Sequence, residues 1–172
     1  MTQRQIAIQQ GELSELSTKI QTTTGDRVPY LGRVVALDAQ GVNCSAILPV
    51  CIHAPDFQLP SYIKGRRFAG ILDENYFDLN QNLQTQIIQS VLNDFEKPDP
   101  LLKGIAVRHA GKLANDSNVD KLVPVILRGT SSDDPYLRKA SALSILNLHH
   151  TKPSFIDRFK LGPILKNLVE DS

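Results

Sequence analysis

The chain has 172 residues, enough for one ordinary domain or about four two-helix repeats. Its 19 basic residues nearly balance 18 acidic ones, and a net charge of +1 argues against a nucleic-acid binder held by bulk charge. Hydrophobic content of 41% suffices for a core, while 6% aromatic content without Trp suits thin helix-on-helix packing better than a β-sandwich.

Residues 1–10 are polar and Gln-rich and read as a loose, flexible arm. Gly11 to Gln21 places Leu13, Leu16 and Ile20 at helical spacing, which predicts a short amphipathic helix. Thr22 to Asp26 is a turn. Val28, Leu31, Val34, Val35 and Leu37 predict a second helix to Ala39, and Pro29 requires it to start near Asp26 as its cap. Asn43 to His53 is strongly apolar and reads as a helix that Pro49 bends or delays, ended by Ala54-Pro55-Asp56. Pro60 or Ser61 opens the next helix, running to about Glu74 with Ile63, Phe68, Ile71 and Leu72 inward. Gly65 and Gly70 each weaken it by about 1 kcal/mol relative to Ala.

From Leu83 the same pattern occurs twice. Ile87, Ile88, Val91 and Leu92 are followed by Asp99-Pro100, and 35 residues later Leu122, Val123, Ile126 and Leu127 are followed by Asp134-Pro135. A fixed period of this size marks a stacked repeat protein. It predicts helices near 82–96, 100–113, 119–129 and 135–149, with Leu92 and Leu127 pointing inward. Asp99 and Asp134 are the predicted caps, each before a proline in the first turn. Pro153 stops the last of these helices. Phe155, Ile156, Phe159, Ile164, Leu165 and Leu168 begin a further unit that halts at Ser172 before its second helix, so the chain reads as cut. No convincing strand is present. The predicted class is therefore all-α, a HEAT- or armadillo-like α-solenoid of about four helical hairpins over residues 11–172.

Site chemistry is sparse. There is no Gly-rich phosphate loop, no Cys or His pair at metal spacing and no nucleophile elbow, so no catalytic residue, cofactor or metal is expected. Cys44 and Cys51, seven apart in a presumed helix, are separated by roughly 10 Å. A disulfide requires Cα atoms within about 7 Å, so both read as buried, reduced thiols of a cytosolic chain. No signal peptide and no membrane span is evident, and the sequons at Asn43 and Asn115 read as chance. His53, His109, His149 and His150 read as surface or half-buried imidazoles at helix ends, and Asp73 and Glu74 as a solvated helix end. A small hydrolase using His109 or His149 with Asp116 is the remote enzymatic alternative. Ser141 follows Arg138-Lys139 like a phosphorylation site but falls on an apolar helix face, which predicts burial.

Two basic features stand out. Lys64, Arg66 and Arg67 cluster on one helix, while Lys103 and Arg138 occupy equivalent repeat positions. One reading is a basic ridge meeting acidic lipid headgroups or an acidic partner. The other is internal pairing with loop carboxylates such as Asp99 or Asp134, which would pin the stack.

The Asp-Pro-x-Leu-Arg phrase that opens Asp134 to Ser141 and its weaker copy, Asp-Pro-x-Leu-Lys, that opens Asp99 to Ala106 resemble HEAT or armadillo repeats. The ordered series is similar to the trunk of the β-type large subunits of adaptor-protein vesicle coats, the β-adaptins. It comprises Gly11 to Leu16, Ser45 to Pro49, Arg66-Arg67, Asn75-Tyr76, Asp94, Asp99 to Arg108 and Asp134 to Lys139. The resemblance runs from about residue 11 to Ser172 and covers only the beginning of such a subunit. It implies a non-enzymatic scaffold chain that assembles with a second large, a medium and a small chain, in complexes that select cargo and coat transport vesicles at the cytosolic membrane face. It also implies contact with phosphoinositide membrane and, in some complexes, a small GTPase. Only Arg4 precedes Lys19 where that family carries several lysines, which weighs against lipid contact from the arm. The family's clathrin-binding hinge lies beyond the region of similarity, so clathrin is not expected as a partner of this segment. The alternative is a HEAT-type interaction module of another scaffold.

Overall fold

The structure, a computed structural model, describes residues 3–52, 59–79 and 81–170, with side chains described from residue 7 except at 53–62 and 79. His53 and the Ala54 to Asp56 break lie outside the described residues. Among the described residues there are ten α-helices and no strand. The helices are α1 (Gln3–Thr22), α2 (Val28–Ala39), α3 (Leu48–Ile52), α4 (Leu59–Tyr76), α5 (Gln81–Glu96), α6 (Pro100–Leu113), α7 (Val119–Thr130), α8 (Pro135–Thr151), α9 (Pro153–Arg158) and α10 (Leu161–Glu170). The all-α helical-repeat class read from the 35-residue period is the class observed. The chain divides into two compact units, residues 1–83 and 84–172.

In the first unit α1 packs on α2 and α3, and α4 packs on α2 and α3. Leu16, Ile20, Leu31, Val34, Leu37, Leu48, Cys51 and Leu72 are buried there, at the three- and four-residue spacings that put apolar side chains on one helical stripe. Helix α2 starts close to the expected place, but its N-cap residue is Arg27, without a side-chain cap bond, and not Asp26. Asp26 Oδ1 accepts the Val28 N–H at 2.9 Å, and Pro29 lies in the first turn, where its missing donor costs nothing. Helix α1 begins at Gln3, so most of the span read as a loose arm has helical backbone instead. Its Gln-rich sequence, QRQIAIQQ, is polar but contains good helix formers, and polarity alone does not oppose a helix.

The segment from Asn43 is not one helix. A 3-10 turn covers Ser45–Ile47 and α3 starts only at Leu48. Pro49 has no N–H and its ring would collide with the carbonyl of residue 45 in a continuous helix, so the start is deferred. Cys44 therefore precedes the helix that holds Cys51, but both are buried free thiols as predicted. Burial pushes Cys44 up to about 11 and Cys51 up to about 12, which keeps both protonated and unreactive at neutral pH.

Tyr76 closes this unit. Its hydroxyl donates to Asp38 Oδ1 and accepts the Cys44 N–H at 2.9 Å, while Asn75 Nδ2 donates to Asp38 Oδ2 at 2.7 Å. The end of α4 is thereby fixed to α2 and to the loop that follows it. Burial and the Asp38 carboxylate push the phenol up to about 12. Tyr76→Phe is expected to cost about 1–2 kcal/mol in urea denaturation, because it strips the acceptor from the Cys44 amide.

In the second unit α6 packs most extensively on α8, with α7 against both and α9 and α10 against α8. Asp99 accepts the N–H groups of Leu101 and Leu102 at 2.8 and 3.0 Å, and Asp134 accepts that of Leu137 at 3.0 Å, so both predicted caps form. Pro100 and Pro135 open their helices. Val91, Leu122, Val123 and Ile126 are fully buried, whereas Leu92 and Leu127 are only half-buried. The core stripe is centred one residue earlier in each repeat than expected. In the first unit Ile71, read as inward, is 44% exposed, because α4 turns Ala69 and Leu72 inward instead.

Glycine sets the spacing of α6 and α8. A Cβ on Gly111 would lie 2.8 Å from Ser144 Cβ and 3.1 Å from its Cα. At this approach Ser144 Oγ reaches Val107 O (3.0 Å) and Ala140 O (2.9 Å), and Asn147 Nδ2 donates to Gly111 O at 3.1 Å. Gly111→Ala should gain helix propensity of about 1 kcal/mol yet lower stability by about 1–3 kcal/mol net in a thermal melt, since the obstacle is backbone and Cβ. Gly104→Ala should cost less. The atom in its way, 2.3 Å from the added Cβ, is a ring carbon of Tyr136, a side chain exposed enough to swing aside.

Candidate interaction surface

The five basic residues singled out in the sequence fall into three environments. Lys64 and Arg67 are exposed on α4, three residues apart and on one side of the helix. Arg66 does not share that surface. It is buried, one helical face away, with its Nη2 3.9 Å from Asp73 Oδ2. Residues 66 and 73 are two helical turns apart and point the same way, so the pair is intrahelical and inward. Asp73 is 1% exposed, which corrects its reading as a solvated helix end. A ridge made of all three cations is thus excluded: Arg66 serves the interior.

Lys103 is half-buried, with its ammonium 6.0 Å from the centre of the Phe95 ring. The Arg128 guanidinium sits 4.7 Å from the same ring and grips Glu96 with two bonds, 2.5 and 3.4 Å long. Those bonds hold Glu96 below the usual carboxylate range, with a smaller contribution from the charge of Lys103. Arg138 Nη1 donates to the carbonyls of Ser132 and Asp133 at 2.9 and 3.0 Å, closing the loop that enters α8. Internal engagement therefore describes Lys103 and Arg138. Asp99 and Asp134 accept backbone N–H groups as caps.

A second arginine repeats the role of Arg128. Arg158 of α9 meets both oxygens of Asp120 in α7 at 2.9 Å, as Arg128 of α7 meets Glu96 of α5. In the first unit Arg33 of α2 bridges to Glu12 of α1 at 2.6 and 3.1 Å. Each such pair is exposed and screened by solvent, so it serves more as register than as stability. The period did not reveal them, because Glu96 and Arg128 are 32 residues apart, off the 35-residue register. The Tyr76 clamp was missed for the same reason: nothing repeats it.

The remaining titratable groups make no assembled site. His109 is buried within α6, contrary to its reading as a surface or half-buried group, because it lies on the same side as Leu102 and Leu113. His149 and His150 are exposed at the end of α8, with ring centres 5.6 Å apart and planes tilted by 60°. Asp116 is exposed in the loop after α6. Ser141 is fully buried and donates to Leu137 O at 2.9 Å, as its helix face predicts. Among the described residues no three His, Cys, Asp or Glu side chains are grouped to hold a metal ion, and no helix is long and apolar enough to cross a membrane. A groove between the end of α7 and α10, lined by Thr130, Ser131, Ile164, Asn167, Leu168 and Glu170, has a carboxylate and no basic group in its wall.

Helical hairpins at a fixed period, capped alike and tied by charged pairs between successive first helices, define an α-helical repeat protein. The chain belongs to the family described as the adaptin N-terminal region, whose model matches residues 7–172. It is 23% identical over 166 residues to the AP-1 complex subunit beta-1 of Homo sapiens and of Mus musculus, covering 94% of this chain and 17% of each relative. Beta-adaptin-like protein A of Arabidopsis thaliana is 23% identical over 169 residues, covering 92% and 19% of the respective chains. The AP-1 complex subunit beta of Dictyostelium discoideum is 22% identical over 163 residues, covering 94% and 17%. The chain therefore spans less than a fifth of the length of these curated relatives.

Proposed function

We propose that this chain is the N-terminal part of the trunk of a β-type adaptor subunit, a non-enzymatic scaffold acting in vesicle-mediated protein transport. One observation carries the reading: the family match is continuous over residues 7–172, and relatives from animals, a plant and an amoeba that align with it are named as β subunits or β-adaptin-like. The partners are a second large chain, a medium chain and a small chain, at the cytosolic face of a membrane. The economy of the charged groups supports a scaffold role, since Arg33, Arg128 and Arg158 join neighbouring helices.

Purification of the tagged full-length protein from its own cells tests this. Recovery of the three companion adaptor chains is the expected result, and recovery of an unrelated assembly would overturn it. Membrane contact through phosphoinositide headgroups is assigned to Lys64 and Arg67, the exposed members of the α4 cluster. A small GTPase is a further partner of the same cytosolic face. Lys64→Glu with Arg67→Glu should weaken sedimentation with phosphoinositide vesicles several-fold, each cation near an anionic surface contributing about 1 kcal/mol. Unchanged sedimentation would remove these two residues from the contact.

A further inference from the structure

We infer that the outward face of the paired helices α6 and α8 is a docking surface for an acidic amphipathic helix of a partner protein. The first observation is charge segregation. Neither helix contains an Asp or Glu, whereas α6 has three Lys or Arg and α8 has two. The chain's net charge of +1 conceals this, because acidic side chains lie in the loops and in other helices such as α5 and α7, where Glu96 and Asp120 are matched by Arg128 and Arg158. Lys103 and Arg138 are engaged as described above. Arg108, Lys112 and Lys139 are exposed.

The second observation is what stands between those cations. Leu101 is 40% exposed, Tyr136 37% and Leu143 47%. Leu101 and Tyr136 are repeat partners 35 residues apart, and so are Arg108 and Leu143. They fall at equivalent positions on two helices held side by side through Ser144 on Val107 and Asn147 on Gly111. The glycine spacing brings the helices close enough for these side chains to form one strip. Leu146, also 41% exposed, lies seven residues after Lys139 on the same side of α8 and extends the strip.

Single exposed apolar side chains are ordinary. A strip of them alternating with cations, with no carboxylate in either helix, complements a helix that carries leucine-like residues on one side and acids on its flanks. Leu101 to Lys112 spans about three turns, roughly 17 Å, which sets the length of the occupant. An anionic membrane is the weaker match, because lipid-binding clusters hold roughly 4–8 cations and this face exposes three. The inference stands on these two helices alone and does not require the adaptor role.

The test uses the whole chain and a fluorescent synthetic peptide of about four helical turns, with leucines three and four residues apart and glutamates flanking them. Saturable binding by anisotropy is expected, weaker in about 300 mM than in about 50 mM salt. Arg108→Glu with Lys139→Glu should weaken it roughly tenfold, Leu143→Ser several-fold, and Lys121→Glu, exposed on α7, not at all. Circular dichroism melts of each variant separate lost binding from lost fold. No saturable binding, equal binding of a peptide with lysine in place of glutamate, or indifference to the double reversal would overturn the inference. So would phosphatidylserine vesicles that bind in a manner sensitive to the double reversal while the peptide does not.

Discussion

Ile126→Ala is expected to lower the unfolding free energy by about 2–5 kcal/mol, while Leu127→Ala in the same turn costs about 1. Ile126 is fully buried and Leu127 only half-buried, although their spacing to neighbouring apolar residues makes both plausible core positions. Removing three carbons from a closed site forfeits their transfer energy and leaves a cavity that rigid neighbours fill incompletely. At Leu127, solvent already covers part of the side chain, so less is lost and no closed void remains. Urea denaturation of both variants measures the difference through the midpoint at constant slope. Equal losses would mean that the inward stripe of α7 is centred elsewhere.

Asp73→Ala is expected to cost about 3–5 kcal/mol, the other large effect. Arg66 and Asp73 are both buried, 5% and 1% exposed, in a helix that also contains Gly65 and Gly70. Desolvating two charges is expensive, and at 3.9 Å their attraction offsets only part of that expense. The pair is therefore a poor source of net stability, but deleting one member leaves the other charge in the interior without that counterion. Replacing both with apolar residues of similar size, Arg66→Met with Asp73→Leu, should recover most of the loss. A double-mutant cycle followed by thermal melting reads the coupling directly. Additive losses in the cycle would show that the two side chains do not depend on each other.

The same pair shows where the sequence misleads. Lys64, Arg66 and Arg67 read as one basic cluster because three cations in four positions are dense for a stacking surface. Helical geometry separates them: residue 66 faces Asp73, while 64 and 67 face outward. Asp73 read as solvated because it lies near a helix end, yet α4 continues to Tyr76 and its last turns are covered. The clamp of Tyr76 on Asp38 and Cys44 joins residues more than thirty apart, and no local pattern announces it.

Much of the fold was legible because it rests on local rules. Apolar spacing, Asp-Pro at helix starts and a doubled 35-residue pattern located α5 to α8 to within about two residues, since caps and periodicity act over one or two turns. The same residues supported the adaptin resemblance. What tertiary structure alone decided was which side of each helix became interior, how closely α6 and α8 approach, and which cations met partners within the chain. Those outcomes depend on contacts between residues far apart in sequence, where a rotation of a few tens of degrees exchanges a buried side chain for an exposed one. Gly111 against Ser144 and the outward turn of Leu143 are both settled at that level.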